Sequence, residues 1–235
     1  MPEIPKHTIF PISDSALTID FGNVISESIN DFVLSLFQAI KTNPLAGMIE
    51  AVPSYSSLTL YYDLFFLRNQ IPPGQTGYDW IAAQLLQRLD AAEQKNNISH
   101  GLITIPVCYE KEFAPDTEYL AREKNISVEE LIHIHTSKQY RVYMLGFLPG
   151  FSYMGEVDER IAISRKSQPV TVAAGSIGIA GKQTGIYPLA SPGGWQIIGR
   201  TPLKLFDAEK EDPVLLKAGD RVQFTSISKD EFKNY

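Results

Sequence analysis

Glycine and proline interrupt the stretch from Leu145 to Asp207 so often that no long helix fits within it. Ten glycines and five prolines lie in this stretch, between short apolar runs and single aromatic residues. Glycine weakens a helix interior and proline breaks it, whereas both occur at the bends of short strands. The stretch therefore predicts the strands and corners of a small β-barrel.

Two interpretations of these glycines stay open. In the first, they form corners, and the neighbouring aromatic side chains belong to the core. In the second, the bare backbone between Gly175 and Gly185 lets a ligand or a partner chain approach closely. The sequence does not separate the two interpretations residue by residue.

Composition indicates a globular protein of the cytoplasm. The length of 235 residues suits two small domains, and the 44% hydrophobic and 20% charged contents are ordinary. The single cysteine, Cys108, excludes an internal disulfide framework and fits a reducing compartment. The net charge of −6, without a cluster of basic residues, argues against a nucleic-acid partner. The N-terminal residues do not resemble a secretory signal, and no apolar run is long enough to span a membrane.

The first part of the chain predicts an α+β N-terminal domain over residues 1–97. Helices with apolar residues at helical spacing are expected from Ser26 to Asn43 and from Tyr78 to Gln94. Polar residues at 95–97 then end the domain. The predicted strands cover residues 7–12, 16–21, 48–52 and 58–62.

The remaining residues, 98–235, predict a β-barrel C-terminal domain that contains the glycine-rich stretch. Two helices are expected in it, over residues 116–124 and from a capping box at Ser127–Glu130 to His135. Further predicted strands cover residues 102–109, 140–145, 214–216 and 221–225. The predicted fold class is an α+β domain followed by a β-barrel.

Several common catalytic motifs are excluded. The chain has no CxxC or HExxH, so no ordinary zinc or redox site is predicted, and no metal site is expected. Gln183 stands where a phosphate-binding loop has serine or threonine after its lysine. Ala174 stands where the motif of a serine nucleophile elbow, G-x-S-x-G, begins with glycine. Ser176 is therefore expected to form a hydrogen bond to the backbone of a turn and not to act as a nucleophile.

Polar side chains that lie among apolar and glycine-rich surroundings are the candidates for chemistry. Histidine is a suitable general base near neutral pH, and the guanidinium of arginine binds carboxylate or phosphate through two hydrogen bonds. His135 also falls in the last turn of a predicted helix, where stabilisation of the helix dipole is the alternative role.

Five segments carry a close family resemblance. They are His135 with Tyr140-x-Val142, the run from Gly146 to Gly155, Ala174–Pro188, Ser191–Pro202 and Leu205–Asp207. Together they resemble the family of 5-oxoprolinase B subunits, also called KipI-like or allophanate hydrolase subunit 1. The resemblance implies a cyclophilin-like C-terminal barrel, related to the carboxyltransferase part of urea carboxylase. It also implies a complex with subunits A and C that opens the ring of 5-oxoproline to glutamate and hydrolyses ATP.

The resulting site prediction assigns catalysis to His135 and Arg200. The resemblance implies that the complex uses ATP. Because this chain has no nucleotide motif, ATP is expected to bind another subunit or a subunit interface. Many relatives carry a Pro-Arg pair where this chain has Gln168-Pro169, so Arg165 or Lys166 would have to replace that arginine. The residues predicted to bind substrate or a partner are Phe147, Phe151, Tyr153, Arg165, Ser176, Lys182, Gln183, Thr184, Tyr187, Trp195 and Thr201.

Two other functions compete with that of an enzyme subunit. The KipI name implies an inhibitor of a sensor histidine kinase, in which Phe147, Phe151, Tyr153 and Trp195 would line a groove for a helix or a proline-bearing segment. Prolyl isomerisation rests on fold analogy alone. The enzyme subunit is favoured because only the long motifs specify a reaction, and the chain is expected to be inactive by itself.

Overall fold

The computed structural model describes residues 4–93 and 101–235 of the chain. These residues form two compact units, Met1–Ser99 and His100–Tyr235. The domain boundary predicted after residue 97 and the helix end predicted at Gln94 lie outside the described residues.

Within residues 4–93, the N-terminal unit is a four-stranded antiparallel sheet with helices packed on its buried face. Its elements are β1 (Thr8–Ser13), β2 (Ala16–Asp20), α1 (Glu27–Thr42), β3 (Met48–Pro53), β4 (Ser57–Tyr62), α2 (Leu64–Leu67) and α3 (Gly77–Glu93). The strand order is β1-β2-β4-β3. The predicted strands and the two predicted helices of this unit are confirmed, apart from the end of the second helix.

Local chemistry explains where α1 and α2 begin. The hydroxyl of Ser26 accepts a hydrogen bond from the backbone of Ile29 over 3.5 Å, as a helix N-cap does. Asp63 begins α2 in the same way, because its carboxylate accepts from the backbone of Phe65 over 2.8 Å. The sequence did not predict α2, which is a single turn and too short for helical spacing to show.

In residues 101–235, seven strands close into a barrel. The elements are β5 (Leu102–Cys108), α4 (Thr117–Lys124), α5 (Val128–Thr136), β6 (Gln139–Leu145), β7 (Ser152–Gly155), β8 (Val170–Val172), β9 (Ser176–Ala180), β10 (Gln183–Ile186), β11 (Ser191–Gly193), β12 (Gln196–Arg200), β13 (Arg221–Ile227) and α6 (Lys229–Lys233). The order around the barrel is β10-β7-β6-β13-β5-β12-β9, with β13 and β5 parallel and the other neighbours antiparallel. Strands β8 and β11 pair separately.

The short strands predicted for the glycine-rich stretch are confirmed, since six of the strands lie within it. The strand predicted at 214–216 is wrong: Val214 forms one isolated bridge with Phe206 and the chain then turns. Helix α6 was not predicted, although Ser228 and Glu231 form a reciprocal capping box at its start.

Three glycines of the stretch are required by the chain's own packing. A Cβ atom on Gly175 would lie 2.3 Å from the carbonyl oxygen of Thr201, and one on Gly178 would lie 2.8 Å from the Cβ of Trp195. A Cβ on Gly185 would lie 2.8 Å from the carbonyl oxygen of Ser152. The chain's own packing therefore accounts for glycine at these three positions without a ligand or partner that approaches the backbone.

Candidate functional site

His135 lies in the last turn of α5 and is fully buried. Its ring stacks on Phe224 with ring centres 4.6 Å apart. Nδ1 lies 2.8 Å from the hydroxyl oxygen of Tyr109, and Nε2 lies 3.2 Å from that of Thr184. Burial lowers the pKa of His135 to about 3, so the imidazole is neutral at physiological pH.

One assignment of the hydrogen atoms gives each ring nitrogen of His135 a hydrogen-bond partner. Thr184 donates its hydroxyl hydrogen to the carbonyl of Gly178 over 3.1 Å, so its oxygen accepts from His135 Nε2. Nδ1 then accepts from the hydroxyl of Tyr109, whose pKa is raised well above its ordinary value by burial. Both imidazole nitrogens are occupied and shielded from water. This geometry gives no support to the predicted catalytic role of His135, which stays a prediction.

Five of the predicted binding residues lie together in the barrel unit. Phe151 is central: its ring centre lies 4.6 Å from that of Tyr153, 5.0 Å from Tyr187 and 5.5 Å from Trp195. Phe147 contacts Phe151 edge-on at 5.6 Å. Such perpendicular ring contacts stabilise a protein beyond the area that they bury. We call Phe147, Phe151, Tyr153, Tyr187 and Trp195 the aromatic cluster.

Phe147 presents the exposed side of the aromatic cluster to solvent. Its side chain is 62% exposed, whereas Phe151, Tyr187 and Trp195 are buried. Its backbone has φ +68°, a left-handed conformation that costs a residue with a Cβ about 1–2 kcal/mol. Hydrogen bonds within the bend hold it, including one from the backbone of Phe151 to the carbonyl of Leu148 over 3.0 Å. Residues with strained backbone of this kind cluster at active sites and ligand-binding loops.

Arg165 adds a positive charge beside the aromatic cluster. Its side chain is exposed and has no ion-pair or hydrogen-bond partner among residues 4–93 and 101–235. A Cβ placed on Gly194 would lie 3.7 Å from the Nε of Arg165. Burial raises the pKa of Tyr153, and the charge of Arg165 opposes that rise, as it does at Tyr187. The guanidinium is therefore available to an anion at the edge of the cluster.

The backbone on both sides of Arg165 is fixed. The amide of Lys166 donates to the carbonyl of Gly194 over 2.7 Å, and the side chain of Gln196 donates to the carbonyl of Ser164 over 3.2 Å. The ammonium of Lys166 pairs with Asp116, and both side chains are largely buried. Of the two residues that could replace the missing family arginine, Lys166 is thus already paired and Arg165 is available.

Asp116 is the residue of this region that the sequence did not suggest. One of its carboxylate oxygens accepts from Lys166 and also from the backbone of Ile197, over 2.6 Å in the second case. It lies at the N-cap position of α4, yet its side chain does not cap that helix. No local motif could have revealed this role, because its partners lie 50 and 81 residues further along the chain.

Arg200, Thr201 and Ser176 lie in another part of the barrel unit. The Nε of Arg200 donates to the carbonyl of Ala174 over 2.8 Å, and the backbone amide of Thr201 donates to the carbonyl of Gly175 over 2.9 Å. Thr201 and Ser176 are buried, and Ser176 lines a cavity of about 190 Å³ together with Arg200. Ser176 and Arg200 are strand-end residues of β9 and β12, and Thr201 follows β12 directly.

Lys182 and Gln183 lie at the start of β10. Lys182 is exposed and pairs with Glu159 at 2.7 Å, and this hydrogen bond raises the pKa of Lys182. Gln183 is half-buried. The three candidate cations of the site thus have different surroundings: Glu159 for Lys182, the aromatic cluster for Arg165 and the carbonyl of Ala174 for Arg200.

Metal ligands and membrane-spanning helices are both absent from the described part of the chain. In residues 4–93 and 101–235, no group of three or more His, Cys, Asp or Glu side chains is placed to hold a metal ion. No helix in the same residues is long and apolar enough to cross a membrane.

Comparison with known proteins gives a consistent result. The family model described as "Carboxyltransferase domain, subdomain C and D" matches residues 7–216. The chain is 42% identical over 232 residues to the 5-oxoprolinase B subunit of Bacillus subtilis, covering 98% of this chain and 97% of that protein.

Solved structures extend the comparison to longer proteins. The crystal structure of TTHA0988 matches 94% of this chain with 33% identity and a TM-score of 0.77, and this chain spans 40% of its length. Urea carboxylase of Kluyveromyces lactis matches 98% of this chain with a TM-score of 0.71 and 19% identity, so that likeness concerns the fold alone. This chain spans 22% of that enzyme.

Proposed function

Because this chain belongs to the family of carboxyltransferase domains, subdomains C and D, we propose that it is the B subunit of a 5-oxoprolinase. The complex would open the lactam ring of 5-oxoproline to glutamate and hydrolyse ATP to ADP and phosphate. The observation that carries this proposal is the match to the Bacillus subtilis protein over nearly the whole length of both chains. The proposal includes a cyclophilin-like class for the barrel and a domain division near residue 97.

The exposed side of the aromatic cluster is the proposed substrate face. 5-Oxoproline is a small ring with one carboxylate, so its recognition needs an apolar surface and one cation. Phe147 and Tyr153 offer the apolar surface, and the unpaired guanidinium of Arg165 suits a carboxylate, which it can bind through two hydrogen bonds. Because the adjoining backbone is fixed by the Asp116–Lys166 pair, binding has to order only the side chain of Arg165.

Catalysis is proposed to need groups from other subunits. Attack on an amide carbonyl needs a base for the water and a donor for the developing oxyanion. Tyr153 keeps its proton at neutral pH because burial raises its pKa, and His135 is enclosed in the barrel. The chain is therefore proposed to be inactive alone, and the ATP that is hydrolysed in the reaction is proposed to bind another subunit or a subunit interface.

Subunits A and C are the proposed partners, in the cytoplasm. Phe147 is the exposed aromatic residue at the substrate face, and a second subunit that covers it would exclude water from the reaction. The match of this chain to 40% of the longer TTHA0988 protein supports a role within a larger assembly.

Reconstitution tests the proposed function. Purified subunits A, B and C are mixed with 5-oxoproline and ATP, and glutamate is measured with and without this chain. The proposal expects glutamate only when all three subunits are present. Full activity without this chain would overturn it.

A further inference from the structure

A second candidate binding site lies on the barrel unit, beside the C-terminal helix α6. It is an open cleft of about 630 Å³. Its charged lining residues are four cations and one acid. Each of the three lysines has an acidic partner, so Arg200 is the cation of the cleft whose charge is not offset by an ion pair within residues 4–93 and 101–235. We call this the basic cleft, and its charged residues are Arg200, Lys204, Lys229, Lys233 and Glu112.

Arg200 is the most rigid cation of the basic cleft. Its Nε donates to the carbonyl of Ala174 over 2.8 Å, and its guanidinium carbon lies 6.0 Å from the centre of the Phe232 ring. These contacts fix the plane of the guanidinium. Its two terminal nitrogens have no hydrogen-bond partner in the part of the chain that the structure describes. They form a prepared donor fork for an oxyanion.

The lysines of the basic cleft are paired with acids, but weakly. Lys204 contacts Asp207 at 3.0 Å, Lys233 contacts Asp230 at 3.5 Å, and Lys229 pairs with Glu112. The side chains of Lys204 and Lys233 are more than half exposed. An exposed ion pair contributes about 0–1 kcal/mol to stability. An incoming anion can therefore replace the acid as the partner of these lysines.

We propose that the basic cleft binds a phosphate group, either free phosphate or a phosphate of a nucleotide. A phosphate at neutral pH carries close to two negative charges on oxygens that match the fork of Arg200, with lysine ammonium groups as further donors. A single carboxylate would satisfy only one of the cations. The basic cleft shares no residue with the substrate face, and it goes beyond the proposed function of the chain.

Calorimetric titration of the full chain at low salt tests the site, with inorganic phosphate and ATP as separate probes. Arg200→Gln should weaken binding about tenfold or more, because a charge-assisted pair of hydrogen bonds is lost. Lys233→Gln removes an exposed charge and should weaken it several-fold. Lys217→Gln is the matched control: Lys217 is exposed, pairs with Asp212 at 2.5 Å and does not line the cleft.

Glu112→Gln gives a test that misfolding cannot imitate. Removing this acid frees Lys229 and lowers the negative charge of the cleft, so binding should become several-fold tighter. Equal affinity for both probes would identify free phosphate as the ligand, and tighter binding of ATP would identify a nucleotide. The proposal is overturned if neither probe binds, if Glu112→Gln weakens binding, or if Lys217→Gln and Lys233→Gln have equal effects.

Discussion

Replacement of His135 by glutamine should reduce the dependence of the stability of the barrel unit on pH. His135 is fully buried and its pKa is lowered to about 3, whereas an unfolded chain has histidine near its ordinary value of about 6.5. Below that value the unfolded chain binds a proton that the folded chain excludes. The contribution of the neutral His135 to the free energy of unfolding is therefore fully present above about pH 6.5, and it is lost as the pH falls toward 3.

The size of this effect follows from the difference between the two pKa values. Each pH unit within the window costs about 1.4 kcal/mol, so the free energy of unfolding should fall by about 2 kcal/mol between pH 7 and pH 5. Glutamine does not titrate and retains a donor and an acceptor for Thr184 and Tyr109. The His135→Gln variant should therefore lack this part of the pH dependence.

Urea unfolding followed by the fluorescence of Trp195 in a Trp80→Phe background measures the barrel unit. His133→Gln is the matched control, because His133 lies on the same helix and its exposed ring is in water in both states. Equal pH profiles for the His135→Gln variant and the parent would refute the conclusion that His135 is buried and neutral.

Two further variants test the packing and the substrate face. Gly178→Ala should destabilise the barrel unit by about 1–3 kcal/mol, measured by urea unfolding, because the new Cβ would lie 2.8 Å from that of Trp195. Gly101→Ala is the control, because its Cβ would make only an ordinary contact of 3.7 Å with Asp220 and the two glycines both lack a left-handed backbone. Asp116→Asn should raise the KM of the reconstituted complex for 5-oxoproline several-fold with little change in kcat. The reason is that Lys166, the neighbour of Arg165, loses its ion pair with Asp116, so the backbone beside Arg165 is held less firmly. An unchanged KM would show that Asp116 has no positioning role.

Local chemistry in the sequence was sufficient for much of the fold. The serine cap at Ser26 and the apolar spacing after it predicted α1, and the density of glycine and proline predicted the short strands of the barrel. The strand predicted at 214–216 failed because an apolar run indicates a strand only if a neighbouring strand is available to pair with it. Val214 has a single bridge instead.

The candidate site was less accessible to prediction. The aromatic residues were identified as possible binding residues, but their contacts depend on packing across several strands and bends. His135 was assigned a catalytic role because its residue type suits a base, and burial, which the sequence does not show, removes it from solvent. Asp116 and the lysines of α6 lie far from the glycine-rich stretch in sequence, so only the fold brings them to it.

The KM of the reconstituted complex for 5-oxoproline, measured with an Arg165→Gln variant of this chain, tests the central claim most directly. Loss of a charge-assisted hydrogen bond to a carboxylate costs about 1.5–3 kcal/mol, so KM should rise about tenfold or more. The matched control is Arg160→Gln, since Arg160 is also an exposed arginine but pairs with Asp158 at 2.9 Å. The KM of the complex that contains this variant should be unchanged. Equal KM values for the two variants would contradict the assignment of Arg165 to the substrate carboxylate.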